Sequence, residues 1–335
     1  MNETRPQPAS VENDPLLASV ISVRKLVSDG KHNAFTALTR WKDAYWLAYR
    51  SGVSHTDGPA DIVILRSSDT ETWSEVFRID VAFDDRDPQF VATPERLFIY
   101  FAAGERNPVS GARATDWMIV GFYTDDGKTL SRRHSIYEPH FVMWQPLEHE
   151  GRFYSAAYRT GENRYVDLIS SDDCLEWRKV STIIGPPGEW SETALHMGTD
   201  GLLTAFARKN YKRGQETPGT ARILESRPPY LEWTTKADLP FRLEGHSVST
   251  FRGVTYLFTR WFNSKIQARW LMIHTYKDGE LRPYCRIPTY QDCTYAEAVE
   301  VGNEMLVSFY STEDAMTHIY LARVPLWRNQ PRENR

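Results

Sequence analysis

Trp46-Leu47-Ala48-Tyr49-Arg50 is an apolar run that ends on arginine, and it returns three times along the chain. The copies are Ser155-Ala156-Ala157-Tyr158-Arg159, Leu203-Thr204-Ala205-Phe206-Ala207-Arg208 and Tyr256-Leu257-Phe258-Thr259-Arg260. Each follows a short turn, such as Trp41-Lys42-Asp43, Gly198-Thr199-Asp200-Gly201 or Phe251-Arg252-Gly253. Alternation in Tyr45-Trp46-Leu47-Ala48-Tyr49 and Val254-Thr255-Tyr256-Leu257-Phe258 suits β structure, and the turn residues mark hairpins. A unit of roughly fifty residues that reads as strands throughout is the signature of a β-propeller, one unit to a blade.

Inner strands are predicted to start near Asn33, Asp87, Val142, Glu192, Ser247 and Ala296. That spacing fits six blades better than five or seven. The third strand of a unit runs into Ser67-Ser68-Asp69-Thr70-Glu71-Thr72-Trp73, then Thr124-Asp125-Asp126-Gly127, then Ser170-Ser171-Asp172-Asp173-Cys174-Leu175-Glu176-Trp177. Leu231-Glu232-Trp233 and Tyr276-Lys277-Asp278-Gly279 are degenerate copies. The last unit ends after its third strand, at Val324, while Ser19 to Val27 read as a lone strand ahead of the first unit. The expected fold is therefore all-β, a six-bladed β-propeller closed by an N-terminal strand that joins the last blade and leaves no long edge exposed. Residues 16–325 form a single domain in this reading, with tails at 1–15 and 326–335.

The 335 residues are 41% apolar and 13% aromatic, ample for one large core. Net charge is −4 and like charges form no run, so nothing points to a nucleic-acid or membrane partner. No apolar stretch approaches the ~20 residues that span a bilayer. The first fifteen residues are polar and lack the order of a signal peptide, which reads as cytoplasmic for the chain as written, with secretion open if a leader was removed. Cys174, Cys285 and Cys293 make no disulfide framework and no zinc spacing, although Cys285 and Cys293 are close enough in sequence to pair. Reduced thiols, no metal and no cofactor are expected.

Hairpin geometry sets what faces the mouth of the ring. The start of an inner strand and the end of its antiparallel neighbour lie at one edge. Arg50, Arg159, Arg208 and Arg260 are thus expected beside His32, Asn33, Asp85, Arg86, Asp87, Glu192, His246, Tyr295 and Glu297. A single strand-ending arginine is commonly solvated or paired with a nearby turn. Four beside several acids point to an anionic ligand, because the planar guanidinium reads a carboxylate through two parallel bonds. An acidic sugar is the simplest such ligand. Trp144, Trp190 and Trp261 are aromatics for stacking on a sugar ring or for packing between blades.

The Ser-x-Asp turns resemble the Asp-box (BNR) repeats of the sialidase (neuraminidase) superfamily. More specifically, the stretch from Ser191-Glu192-Thr193 to Phe206-Ala207-Arg208 looks like the sialidase segment in which a glutamate opens an inner strand and an arginine ends the next. The resemblance implies that Glu192 polarises the nucleophile and that Arg208 belongs to the carboxylate-binding cluster. Asp292-Cys293-Thr294-Tyr295-Ala296-Glu297 resembles the segment of the tyrosine nucleophile, which puts that role on Tyr295. Arg269 falls where another cluster arginine is expected, and Asp57 where the family keeps its acid/base aspartate. One element departs. The family opens its first inner strand with an arginine, whereas this chain has His32-Asn33-Ala34-Phe35. Arg86 in Asp85-Arg86-Asp87-Pro88 is the candidate replacement; a lost charged bond costs about 1.5–3 kcal/mol.

The chemistry stands beside the resemblance. Glycoside hydrolysis generally uses a proton donor and a base or nucleophile across the scissile bond. Tyrosine ionises near pH ~10, so Tyr295 needs a neighbouring base, which Glu192 supplies if the two strands meet. Asp57 is the expected acid, with His55 as its rival. The reading favoured is an exo-acting, sialidase-like hydrolase of a carboxylated sugar. Its alternatives are a furanosidase-type hydrolase using Asp87, Glu192 and Glu297, a polysaccharide lyase with Tyr295 or His246 as base, and a non-catalytic glycan-binding propeller.

Overall fold

The computed structural model describes residues 18, 20–56, 58–109, 111, 114–210, 220–263 and 268–327. Among them, all regular structure is strand, and no helix is long and apolar enough to cross a membrane.

A first strand, β1 (Ser22–Val27), precedes a series of antiparallel meanders. The first comprises β2 (His32–Trp41), β3 (Ala44–Gly52), β4 (Ala60–Ser67) and β5 (Ser74–Ile79), and the second β6 (Asp84–Ala92), β7 (Leu97–Arg106), β8 (Ala114–Thr124) and the short β9 (His134–Ser135). The third runs through β10 (Phe141–His149), β11 (Arg152–Arg159), β12 (Val166–Ser171) and β13 (Arg178–Ile184). The fourth has β14 (Trp190–Met197), β15 (Leu203–Lys209), β16 (Ala221–Ser226) and β17 (Thr234–Leu239). The fifth has β18 (Ser247–Phe251), β19 (Val254–Asn263), β20 (Ala268–Lys277) and β21 (Glu280–Thr289). The last supplies three strands, β22 (Cys293–Val301), β23 (Glu304–Glu313) and β24 (Met316–Pro325), and β1 lies antiparallel against β24 with Ser22 opposite Arg323.

Each meander is a small sheet of the propeller-blade type: the third, fourth and fifth stand apart as four-stranded sheets, while single parallel bridges, His32 to Thr317 and Ala60 to Asp84, join the last, first and second. The innermost strands touch in chain order, β2 to β6, β6 to β10, β10 to β14, β14 to β18 and β18 to β22, and β22 touches β2. Apolar side chains fill the space between neighbouring sheets. Trp46, Ile62 and Ile64 of the first, for example, pack against Leu97, Ile99 and Phe101 of the second. Burial of this kind, at about 25 cal/mol per Å² of apolar surface, is what holds one sheet on the next.

The repeated Asp turns share one pattern of hydrogen bonds. Asp69 Oδ1 accepts from the backbone amides of Glu71 and Thr72, each at 2.8 Å. Asp126 Oδ1 does the same for Lys128 and Thr129, and Asp173 Oδ1 for Leu175 and Glu176. Ser67, Thr124 and Ser171 donate their hydroxyls to the same carboxylates. The residue after each Asp (Thr70, Gly127, Cys174) sits at positive φ, and in the first and third copies the Trp indole caps its carbonyl. Such a turn hydrogen-bonds its own backbone and stops the strand without help from elsewhere.

The three cysteines are buried and unpaired, so Cys285 and Cys293 do not bridge. Residues 1–15, read as a tail, lie outside the described residues. Of the segment from 326 onward, Leu326 is buried in the core and donates its amide to Asn303, while the Trp327 amide bonds Tyr256 Oη at 2.8 Å.

Candidate active site

The inner strands do not run straight at the end where the chemistry-bearing residues collect. β2, β6, β10, β14 and β22 each carry a bulge near the start. Phe35 (φ 57°), Asp87 (φ 55°), Gln145 (φ 40°) and Tyr295 (φ 46°) sit in four of these bulges in the left-handed region. A non-glycine residue there costs about 1–3 kcal/mol, and such positions collect at functional sites. Each bulge re-aims a side chain that an unbroken strand would keep in register with its neighbour. Tyr295 also needs room behind it. Gly245 (φ 52°) lies so close that a Cβ would sit 2.3 Å from the tyrosine ring.

The bulges border a cleft of about 650 Å³ whose walls include Phe35, Arg86, Asp87, Trp117, Glu192 and Tyr295. His55, Arg159 and Arg164 also line it. The Tyr295 hydroxyl donates to Glu192 Oε1 at 2.7 Å, and Arg208 Nη1 donates to Glu192 Oε2. Burial pushes the Glu192 carboxyl up, but the Arg208 guanidinium and the Tyr295 hydroxyl outweigh it, and the net shift is down. Burial, together with the Glu192 charge, pushes the Tyr295 phenol well above its usual range. Glu192 is thus an ionised acceptor for a neutral tyrosine. Across the cleft, burial holds the Asp87 carboxyl up at about 7, against the pull of Arg86 and with the repulsion of Glu192. Two carboxyls on one cleft are pushed in opposite directions, the pattern that separates a proton donor from a base.

The arginines divide. Arg86 and Arg159 reach the cleft, and Arg86 lies 5.0 Å from the centre of the Trp117 ring and 5.6 Å from that of Phe35. Its Nη2 bonds Asp84, and its Nε is buried with no protein partner among the described residues. Arg208 stands behind Glu192, with Glu244 at 3.8 Å. Arg50, expected at the mouth, is fully buried instead. Its Nε bonds Asp84 Oδ1 at 2.8 Å, and Gly52 leaves space for the guanidinium, since a Cβ there would meet Nη1 at 2.8 Å. Arg260 is likewise drawn away, to Asp292 Oδ1 at 2.9 Å and the Cys293 carbonyl. Arg269 donates to the Gln291 carbonyl and does not line the cleft. In each case an acid or carbonyl from the next meander, or from the loop leading into it, has captured the guanidinium, so no ring of four arginines is assembled.

The other expected residues fall into two layers. Asn33 is buried and bonds Asp29 at 2.6 Å. His246 is buried beneath the cleft, with Nε2 2.7 Å from the Phe206 carbonyl, and burial lowers its pKa to about 4. Glu297 accepts from the Leu38 amide at 2.9 Å in a small second cavity behind Phe35, Asp87 and Tyr295. Trp144 and Trp190 are buried in packing, and Trp261 lies against Phe241 rather than in the cleft. Trp117, the tryptophan that does line it, carried no repeat signal. Asp57 lies outside the described residues. His32, His55 and Asp292 bring ligand-type atoms within 4.8 Å of one another. Arg50 lies 3.4 Å from His32 Nδ1 and Arg260 2.9 Å from Asp292, and two guanidinium charges there oppose a cation.

Asp85 is a buried acid that does not line the cleft. It is wholly buried, accepts the Val81 amide at 2.7 Å, and burial pushes it up to about 8. Because the folded carboxyl holds its proton more tightly than the unfolded one, its contribution is full below about pH 4 and is lost as pH climbs toward 8. Asp85→Asn keeps the accepting oxygen and cannot ionise. The fall in Tm between about pH 5 and about pH 9 is expected to be shallower in this variant, as read by calorimetry.

No family model matches the chain, and no curated protein matches it in sequence. Solved structures do. A Trypanosoma rangeli sialidase in complex with the inhibitor DANA superposes with a TM-score of 0.70 at 12% identity, covering 88% of this chain and 55% of that one. The same sialidase is described with 2,3-difluorosialic acid as a covalent intermediate. A Penicillium chrysogenum alpha-L-arabinanase complexed with arabinobiose gives 0.58 at 13% identity over 88% of this chain and 94% of its own. The Bombyx mori GH32 beta-fructofuranosidase gives 0.55 at 11% over 88% and 90%. The chain spans about half the length of the sialidases and nearly the whole of the other two. With its sheets of blade type, the chain has the fold of the sialidase-like β-propellers.

Proposed function

We propose that the meanders form a single closed, six-bladed ring in which β1 completes the last blade, and that its cleft hydrolyses the glycoside of a carboxylated sugar. Tyr295 is the nucleophile and Glu192 the base that takes its proton. The hydrogen bond of 2.7 Å between Tyr295 Oη and Glu192 Oε1 at the cleft wall carries this reading. Arg86 and Arg159 supply the positive charge for the substrate carboxylate, in place of the cluster expected around Arg208 and Arg269. A tyrosine suits an anionic substrate because the neutral phenol brings no charge to repel it.

The opposed shifts of Asp87 and Glu192 favour a second reading, hydrolysis by two carboxyl groups with Tyr295 only as a hydrogen-bond partner. Incubation with 2,3-difluorosialic acid, then mass spectrometry of the peptide containing Tyr295, separates them. A retained glycosyl mass on Tyr295 supports the nucleophile. No adduct, with turnover of an acidic aryl glycoside surviving in Tyr295→Phe, supports the carboxyl pair, and no turnover of any acidic glycoside removes both.

A further inference from the structure

His55 stands on the β3–β4 loop, lines the cleft and keeps 45% of its side chain exposed. Its Nδ1 lies 3.0 Å from Asp292 Oδ2. Asp292 is itself held, by Arg260 Nη2 at 2.9 Å and by the Tyr310 hydroxyl at 3.1 Å. The loop is fixed from below as well. Arg50 Nη1 donates to the Ser54 carbonyl at 2.8 Å, and Arg86 Nη2 to the His55 carbonyl at 3.1 Å. Asp84 ties these two arginines together. The ring also meets His32 edge-on at 5.2 Å and Phe35 at 5.5 Å, and Phe35 in turn meets Tyr295 at 4.7 Å.

Three arginines from three different sheets therefore converge on one imidazole, two through the loop backbone and one through its carboxylate partner. A carboxylate on Nδ1 fixes the tautomer and leaves Nε2 as the atom that gives or takes a proton.

We infer that His55 is the proton donor and acceptor of the cleft, with Asp292 as its positioning residue. The inference rests on the Tyr295 nucleophile proposed above. In the first step the His55 Nε2–H proton passes to the glycosidic oxygen as its bond to the anomeric carbon breaks. Tyr295 Oη bonds that carbon and gives its proton to Glu192. In the second step water attacks the same carbon and yields a proton to His55 Nε2. The Tyr295 oxygen leaves and recovers its proton from Glu192.

A proton donor matters most when the leaving group is a poor one. With phenyl and 4-nitrophenyl glycosides of sialic acid and glucuronic acid as probes, His55→Gln is expected to slow the phenyl substrate about 10²–10⁴-fold and the nitrophenyl substrate by less than about tenfold. Asp292→Asn should show the same leaving-group pattern at a smaller loss. Added imidazole should restore part of the phenyl activity to His55→Gly, which a merely structural role would not allow. Equal losses on both leaving groups, without rescue, overturn the inference. So does the same leaving-group pattern appearing in Asp57→Asn or Asp87→Asn instead. If Tyr295→Phe keeps its turnover, the nucleophile reading fails while the His55 comparison still decides the donor. No turnover of either probe by the unaltered protein overturns both.

Discussion

Tyr295→Phe is expected to abolish steady-state turnover of an acidic aryl glycoside while leaving the fold in place. The variant loses one oxygen. Glu192 keeps its ion pair with Arg208, and the ring keeps its edge contacts with Phe35 and Trp144. Thermal unfolding should therefore move little. Glu192→Gln is expected to cost about 10²–10⁴-fold in kcat, the usual scale for losing a base. It should also lower Tm, because Arg208 is then left in a confined place with Glu244, at 3.8 Å, as its remaining ion-pair partner among the described residues. Since the two residues act on one proton, the double variant should be no slower than Tyr295→Phe alone. Additive losses in kcat would show that they do not work as a pair.

Arg50→Met should give the largest loss of stability. Arg50 and Asp84 both have fully buried side chains, and removing one partner of such a pair typically costs about 3–5 kcal/mol. Asp84 would keep Arg86, so the lower end of that range is expected. Arg50→Lys should recover little, because a single ammonium cannot reach Asp84, the Ser54 carbonyl and the His32 ring together. Urea unfolding reads the change as a lower midpoint at an unchanged slope. A midpoint equal to that of the unaltered protein would mean that the pair contributes nothing net.

Much of the fold was legible because strand period and turn chemistry are local. Predicted inner-strand starts at Asn33, Asp87, Val142, Glu192, Ser247 and Ala296 fall within three residues of the observed starts at His32, Asp84, Phe141, Trp190, Ser247 and Cys293. The site was legible only in part. Period two tells which edge of a sheet an arginine reaches, but its partner comes from another sheet. Asp84 in β6 claims Arg50 of β3, and Asp292 just before β22 claims Arg260 of β19. The bulges had one readable signal, a proline inside an inner strand at Pro88 and Pro146, since proline in a sheet marks an edge or a bulge. Trp117 had none, for it stands on a third strand next to a loop outside the repeat.

The pairing of β1 with β24 has a consequence for the order of the chain. Ala18 donates its amide to the Tyr284 carbonyl at 2.7 Å, and the Trp327 ring lies 5.6 Å from the Tyr284 ring. The first and last described residues thus meet at one residue of the fifth sheet. A short covalent link between them, with the chain reopened in a loop between two meanders, would keep every strand partner described above. Such a rotation of the chain order should preserve the β1–β24 pairing, because strand contacts and not the order of the strands carry the fold.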